Sequence, residues 1–255
     1  MRSLQLSILA GVSLVFAGLA GCDSTTPIQP TPTPAPWENA RIQAGDFWAF
    51  SETETMTSTD GVSQITREST TTVTNETVVD LLGNEAFIHR TEGTVTVDDG
   101  DPEAYEAEYY FSQDASGILY EHGEFVDDEK GGYQSMILAA DGGKFRTKPY
   151  PLTIGTSHEW DATYDDGYHT QGTSVISAIE TITIGAGTFV AAKIESEATD
   201  DYEDWTRTCT TTRWHVPELC DNIKGEYTCH SESPSEALDY SGTYELIDSS
   251  LLDAE

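Results

Sequence analysis

Tyr105-Glu106-Ala107-Glu108-Tyr109-Tyr110-Phe111-Ser112 is the stretch on which the fold turns. In an extended chain successive side chains point to opposite sides. Tyr105, Ala107, Tyr109 and Phe111 therefore share one face of a strand, and Glu106, Glu108, Tyr110 and Ser112 share the other. One buried and one wet face is the signature of an antiparallel sheet. The pattern extends in both directions. Residues 45–58 read as a strand leading into Asp60-Gly61, a hairpin signal. Residues 62–81 return as a Thr/Val strand, Leu82 to Glu85 turn the chain, and residues 86–97 run back to a turn at 98–102. Downstream, strands are expected at 117–126, 144–153, 157–164, 168–184, 187–198, 203–216, 223–231 and 240–248. Residues 133–140 are the best short-helix candidate, closed by Asp141-Gly142-Gly143, with a strand as the alternative. The expected fold is all-β with at most one or two short helices, an antiparallel meander curled into a half-barrel, barrel or sandwich. Trp48, Phe50, Tyr105, Tyr109 and Phe111 are expected in the core. They would line a pocket only if the curled sheet stays open on one side.

The N-terminus sets the expected address. Arg2 precedes a run from Leu4 to Ala20 that is mostly apolar or small, the layout of a secretory signal. It ends in Leu19-Ala20-Gly21-Cys22, which resembles the bacterial lipobox. That resemblance implies a signal peptide over residues 1–21 and a diacylglyceryl (palmitate-type) modification on Cys22. The lipid is then the expected contact with the membrane, and two or more chains make such an anchor stable. The expected location is the cell envelope, with the outer membrane favoured over the inner although Asp23 follows Cys22. Residues 22–36 carry Pro27, Pro30, Pro32, Pro34 and Pro36 between polar residues. Proline fixes φ and lacks an N–H, so this stretch reads as a polyproline-II tether about 40 Å long. Residues 37–255 contain no second linker of that kind and read as one acidic β-rich domain.

Composition narrows the possible partners. Twelve basic residues stand against 45 acidic ones, giving a net charge of −33. Such a surface repels phosphate backbones, so nucleic acid is excluded as a partner. Acids spread along the chain, with few lysines, suit a surface that stays hydrated at high salt.

Residues 150–247 carry a set of short motifs. They are Tyr150-Pro151-Leu152 with Gly155 and Trp160, then Glu180-Thr181-Ile182, then Ala186-Gly187-Thr188-Phe189 with Lys193. Trp214-His215-Val216-Pro217 and Tyr244-Glu245-Leu246 follow. Together they resemble a group of bacterial lipoprotein domains of unknown function. The resemblance implies an antiparallel sheet curled like the half-barrel of lipoprotein carriers, and no known activity. This chain departs from the pattern at Glu218, where a glycine is usual, and by adding Cys220 and Cys229.

Three cysteines remain after Cys22, and an oxidising envelope permits a disulfide. If 206–216 and 221–231 form a hairpin, Cys209 and Cys229 come nearly opposite each other, close enough to bridge. The alternative is Cys220–Cys229, pinning a local loop. A metal site built from these cysteines with His215 or His230 lacks suitable spacing.

No nucleophile elbow, zinc-binding helix motif or phosphate loop occurs. His158 and His169 with Glu159, Asp161, Asp165 and Asp166 could form a metal or acid–base cluster, although an acidic turn explains them. Asp98 to Glu103, Asp127-Asp128-Glu129 and Asp200 to Asp204 are acidic clusters without the spacing of a calcium loop. No cofactor is expected. The leading expectation is a non-enzymatic envelope lipoprotein binding an apolar ligand or an envelope protein on a curved sheet. The alternatives are a structural acidic surface lipoprotein with weak cation binding, and a hydrolase of envelope polymers.

Overall fold

The computed structural model describes residues 43–58, 64–81, 84–98, 100–114, 118–126, 133–137, 143–146, 148–234 and 236–252. The signal segment, Cys22, the tether, the Asp60-Gly61 turn and Asp127 to Glu129 lie outside them. The described residues form twelve strands and no helix. In chain order these are β1 (Phe47–Ser58), β2 (Gln64–Leu81), β3 (Asn84–Val97), β4 (Glu103–Gln113), β5 (Leu119–Val126) and β6 (Tyr133–Met136). Then come β7 (Ser157–Thr163), β8 (His169–Ile184), β9 (Gly187–Tyr202), β10 (Trp205–Val216), β11 (Asp221–Glu232) and β12 (Ala237–Ser249). They make one antiparallel sheet in the order β6-β5-β4-β3-β2-β1-β12-β11-β10-β9-β8-β7. Two six-strand meanders are thus joined where the first strand pairs with the last, Thr53 opposite Thr243.

The sheet curls until its two edges touch, without closing into a continuous barrel. Ile137, just past β6, bridges Tyr164, just past β7. Asp165 N donates to Met136 O at 2.8 Å, and Met136 N donates to Asp165 Oδ1 at 2.9 Å. β-bulges help to bend the ladders, at Ala49/Phe50, Tyr110/Phe111, Ile176/Ala178 and Trp214/His215 among other places.

A second device serves the curl. Four glycines stand directly opposite large aromatic residues on the inner face: Gly93 and Tyr105, Gly172 and Trp160, Gly225 and Tyr244, Gly242 and Tyr227. A Cβ at any of the four would collide with the ring opposite. Each ring therefore lies flat across a glycine, which lets a tightly bent strand carry a bulky inner residue.

Two sequence expectations are corrected. Residues 133–137 are a strand and a bridge, not a helix. A helix that short is marginal alone, whereas the edge of β5 offers ready backbone partners. Residues 144–153 do not form a strand; only Phe145 bridges, to Glu121. Pro149 and Pro151 cannot donate to a ladder, and the segment instead passes through the curl. Lys148 is 3% exposed, and Leu152 packs against Ile176, Ala192 and Ile194.

The main apolar cluster lies at one end, where Trp48, Phe50, Val73, Trp214, Val216, Leu219, Ile223 and Leu246 pack with Ile184 and Phe189 from the β8–β9 tip. Trp48 Nε1 donates to Leu219 O at 3.1 Å, tying the β10–β11 turn to β1. Ala107, Tyr109 and Phe111 form a smaller buried cluster on β4. Ser112, on the opposite face, is also buried and bonds to His122 Nε2 at 2.8 Å. Cys209 and Cys229 are direct partners across β10 and β11 and are joined by a disulfide. Cys220 is a buried thiol that donates to Pro217 O. A link closing a loop of 20 residues restricts the unfolded chain by about 3 kcal/mol. Cys209→Ala/Cys229→Ala is therefore expected to lower the free energy of unfolding measured in urea by that much, leaving the far-UV spectrum unchanged.

Candidate functional site

The outer face of β1 and β7–β12 forms an open groove of about 1000 Å³. Its floor follows from strand register. One row runs Thr53, Thr243, Glu226, Thr212, Glu195, Val175 and Ser157 across seven strands. The adjacent row runs Thr55, Ser241, Thr228, Thr210, Glu197 and Thr173. At about 4.8 Å per strand the longer row spans about 29 Å. Alternation puts these hydroxyls and carboxylates outward because the intervening residues face the core. Lys193 pairs with Glu195 at 2.9 Å, and Lys224 pairs with Glu226 at 3.2 Å. Both lysines stand at the rim near Trp214, and Lys224 lies 5.0 Å from the ring centre. The Lys193 bond also holds the Glu195 carboxyl below its usual range.

The inner face is unusually polar and contains three clusters. In the first, Tyr227 OH stands 2.8 Å from both Glu52 Oε1 and Glu54 Oε2, while Arg67 pairs with Glu54 at 3.2 Å. Burial raises the Glu52 carboxyl, although Tyr227 stabilises its charge. Two convergent carboxylates suggest acid–base chemistry, but these are alternate residues of one strand beneath a tyrosine. They do not face each other across a cleft as hydrolytic pairs do.

In the second cluster, Asp200 and Arg207 form a buried ion pair at 2.8 Å. Burial opposes the arginine's charge, but Asp200 holds its pKa above the ordinary value. Nearby, Tyr164, just past β7, donates to Glu121 in β5 and so links the two meanders. Burial raises the Glu121 carboxyl to about 8. Its folded pKa lies above the ordinary 4.5, so its contribution to stability is complete below that pH. That contribution is lost as the pH rises to about 8 and stays constant above it. Because the side chain is only half-buried, Glu121→Gln should recover on the order of 1 kcal/mol at pH 8 and nothing at pH 4. Denaturant midpoints of wild type and variant across that range provide the check.

The third cluster surrounds Lys148. Its Nζ is 3.2 Å from His215 Nδ1, and Asp221, Arg213 and Cys220 are close enough to influence it. Burial lowers the ammonium to about 7 despite Asp221. His89, fully buried across the curl, is lowered to about 3 by desolvation and by Lys148.

The sequence-level cluster of His158 and His169 is split by the pleat. His169 Nε2 bonds to Asp161 at 2.9 Å on the outer face, whereas His158 Nε2 bonds to Arg146 O at 2.9 Å. Among the described residues no group of three or more His, Cys, Asp or Glu side chains is placed to hold a metal ion. The groove and the Lys148 cluster escaped sequence reading because their members are contiguous only through register and curl. The one available signal was the outward Thr/Glu alternation of β9 to β12.

No protein-family model and no curated protein matches the chain. Among solved structures, it is similar to a candidate exported protein with YmcC-like fold from Bacteroides fragilis. That alignment covers 81% of this chain and 96% of the other, at 10% identity and a TM-score of 0.37. A candidate lipoprotein from Parabacteroides distasonis is aligned over 81% and 95%, at 12% identity and a TM-score of 0.35. Both scores are too low for either protein to speak for the fold or function of this one.

Proposed function

We propose that this protein is a lipid-anchored, non-enzymatic component of the bacterial cell envelope that binds a partner in the groove across β1 and β7–β12. The lipobox-like Cys22 and the proline tether support the anchoring. The observation that carries the binding is the groove itself: about 1000 Å³, lined by hydroxyls and carboxylates from seven strands. Its lining side chains are mostly hydroxyls and carboxylates, which favours a protein or polymer partner over an apolar ligand. The acidic surface directs that choice toward partners that are neutral or basic where they touch it.

A photo-crosslinking residue at Thr212 or Thr228, in the groove, is expected to capture a defined envelope component in living cells. The same probe at Thr94, exposed on the outer face of β3, should capture none. Equal labelling from all three positions, or none from any, would leave the structural alternative in its place.

A further inference from the structure

Strand β10 carries two arginines on its buried face, and their surroundings differ in one respect. Arg207 is 1% exposed and donates to Asp200 Oδ2 from Nε at 3.1 Å and Nη2 at 2.8 Å. Asp200 is its Cα partner on β9. Further along the same face, Arg213 is 6% exposed, but its partner on β9 is Ile194 and its partner on β11 is Gly225. Arg213 Nη2 donates to Ser196 Oγ at 3.0 Å, and its Nε has no acceptor. The titratable groups beside it are Lys148, His215 and Tyr244. Asp221 is close enough to Lys148 to influence it. Among the described residues no carboxylate pairs with Arg213.

Arginine does not shed its proton in a protein. A buried charge without a counter-charge is strongly disfavoured, which is why Arg207 comes with Asp200. The described residues do not supply the negative charge that Arg213 requires. We propose that Arg213 is the centre of an interior anion site that holds one small oxyanion, a carboxylate or a phosphate.

The planar guanidinium offers two parallel donors to such a group, and Nε is the donor left without a partner. Nη2, on the same edge as Nε, is shared with Ser196. Lys148 is close enough to feel Arg213 and to influence His89, whose two ring nitrogens also lack partners, so further donors lie in the same interior. This site lies on the inner face, and Ser196 is common to it and to the lining of the groove.

The test is thermal unfolding of the intact folded domain, freed of bound oxyanions by unfolding and refolding in chloride. Inorganic phosphate and acetate are then titrated at constant ionic strength. At a hundredfold excess over Kd the midpoint should rise by about 5 °C with at least one of them. Arg213→Met removes the charge while keeping an apolar stem, a change that buried ion sites usually tolerate. It should fold, and its midpoint should not respond to either anion. Ile194→Asp places a carboxylate where Asp200 serves Arg207, and a folded variant should likewise lose the response. An unresponsive wild type, or a response that persists in Arg213→Met, overturns the proposal. If Ile194→Asp does not fold, the comparison with Arg213→Met decides.

Discussion

Gly172→Ala is expected to cost about 3 kcal/mol or more, a large loss for the addition of one methyl group. Gly172 lies in β8 directly opposite Trp160. A Cβ there would strike the Trp160 ring and stand 2.5 Å from the backbone carbonyl of Glu197. Trp160 is 8% exposed and its Nε1 donates to Thr170 Oγ1 at 3.3 Å, so the ring has little room to swing away. The carbonyl belongs to β9 and cannot move without opening the ladder. Elsewhere in a chain, Gly→Ala commonly stabilises, because alanine restricts the unfolded state. Gly185 offers that contrast, since a Cβ there meets only Glu245 Oε1 at 3.5 Å. Gly185→Ala should therefore change stability by less than about 0.5 kcal/mol. Urea midpoints at equal m-value would measure both. If Gly172→Ala proves as mild as Gly185→Ala, the packing of rings over glycines does not hold the curl.

Asp200→Ala is expected to destabilise the domain by roughly 3–5 kcal/mol, because it strands a buried guanidinium. Arg207 is 1% exposed and is held on two nitrogens by the one carboxylate oxygen. The pair is also flanked by tyrosines: Tyr240 and Tyr168 both influence Arg207. The double variant Asp200→Leu/Arg207→Met should be far closer to wild type, since an apolar pair of similar volume removes both charges at once. A double-mutant cycle on chemical denaturation gives the coupling directly. If the single and double variants lose the same stability, the loss reflects packing and not the unpaired charge.

The two arginines of β10 also show how far local sequence can be read. Arg207 and Arg213 lie in a run of alternating residues whose inner face carries Cys209 as well. Nothing within the run indicates that Asp200 will stand opposite the first and Ile194 opposite the second. That depends on the register of β9 against β10, which is set by the hairpin after Tyr202 and runs unbroken from Trp205 to His215.

From sequence alone, the all-β class, most strands and the buried faces of β1 and β4 followed, because the pleat has a period of two and hydrophobic burial imposes the same period. The strand at 144–153 was misread, and of the helix and strand weighed for 133–140 the strand stands at Tyr133–Met136, because both segments depend on distant partners. β6 exists to pair with the edge of β5, and Lys148, Pro149 and Leu152 are drawn inward by the closing curl. Only the tertiary structure decided that the first strand meets the last, that the sheet's edges touch at Ile137 and Tyr164, and that four rings settle over four glycines. It also decided that the Thr and Glu positions of separate strands merge into one groove. Alternation is a property of each strand by itself, whereas register, curvature and edge contact depend on pairings between residues far apart in the chain.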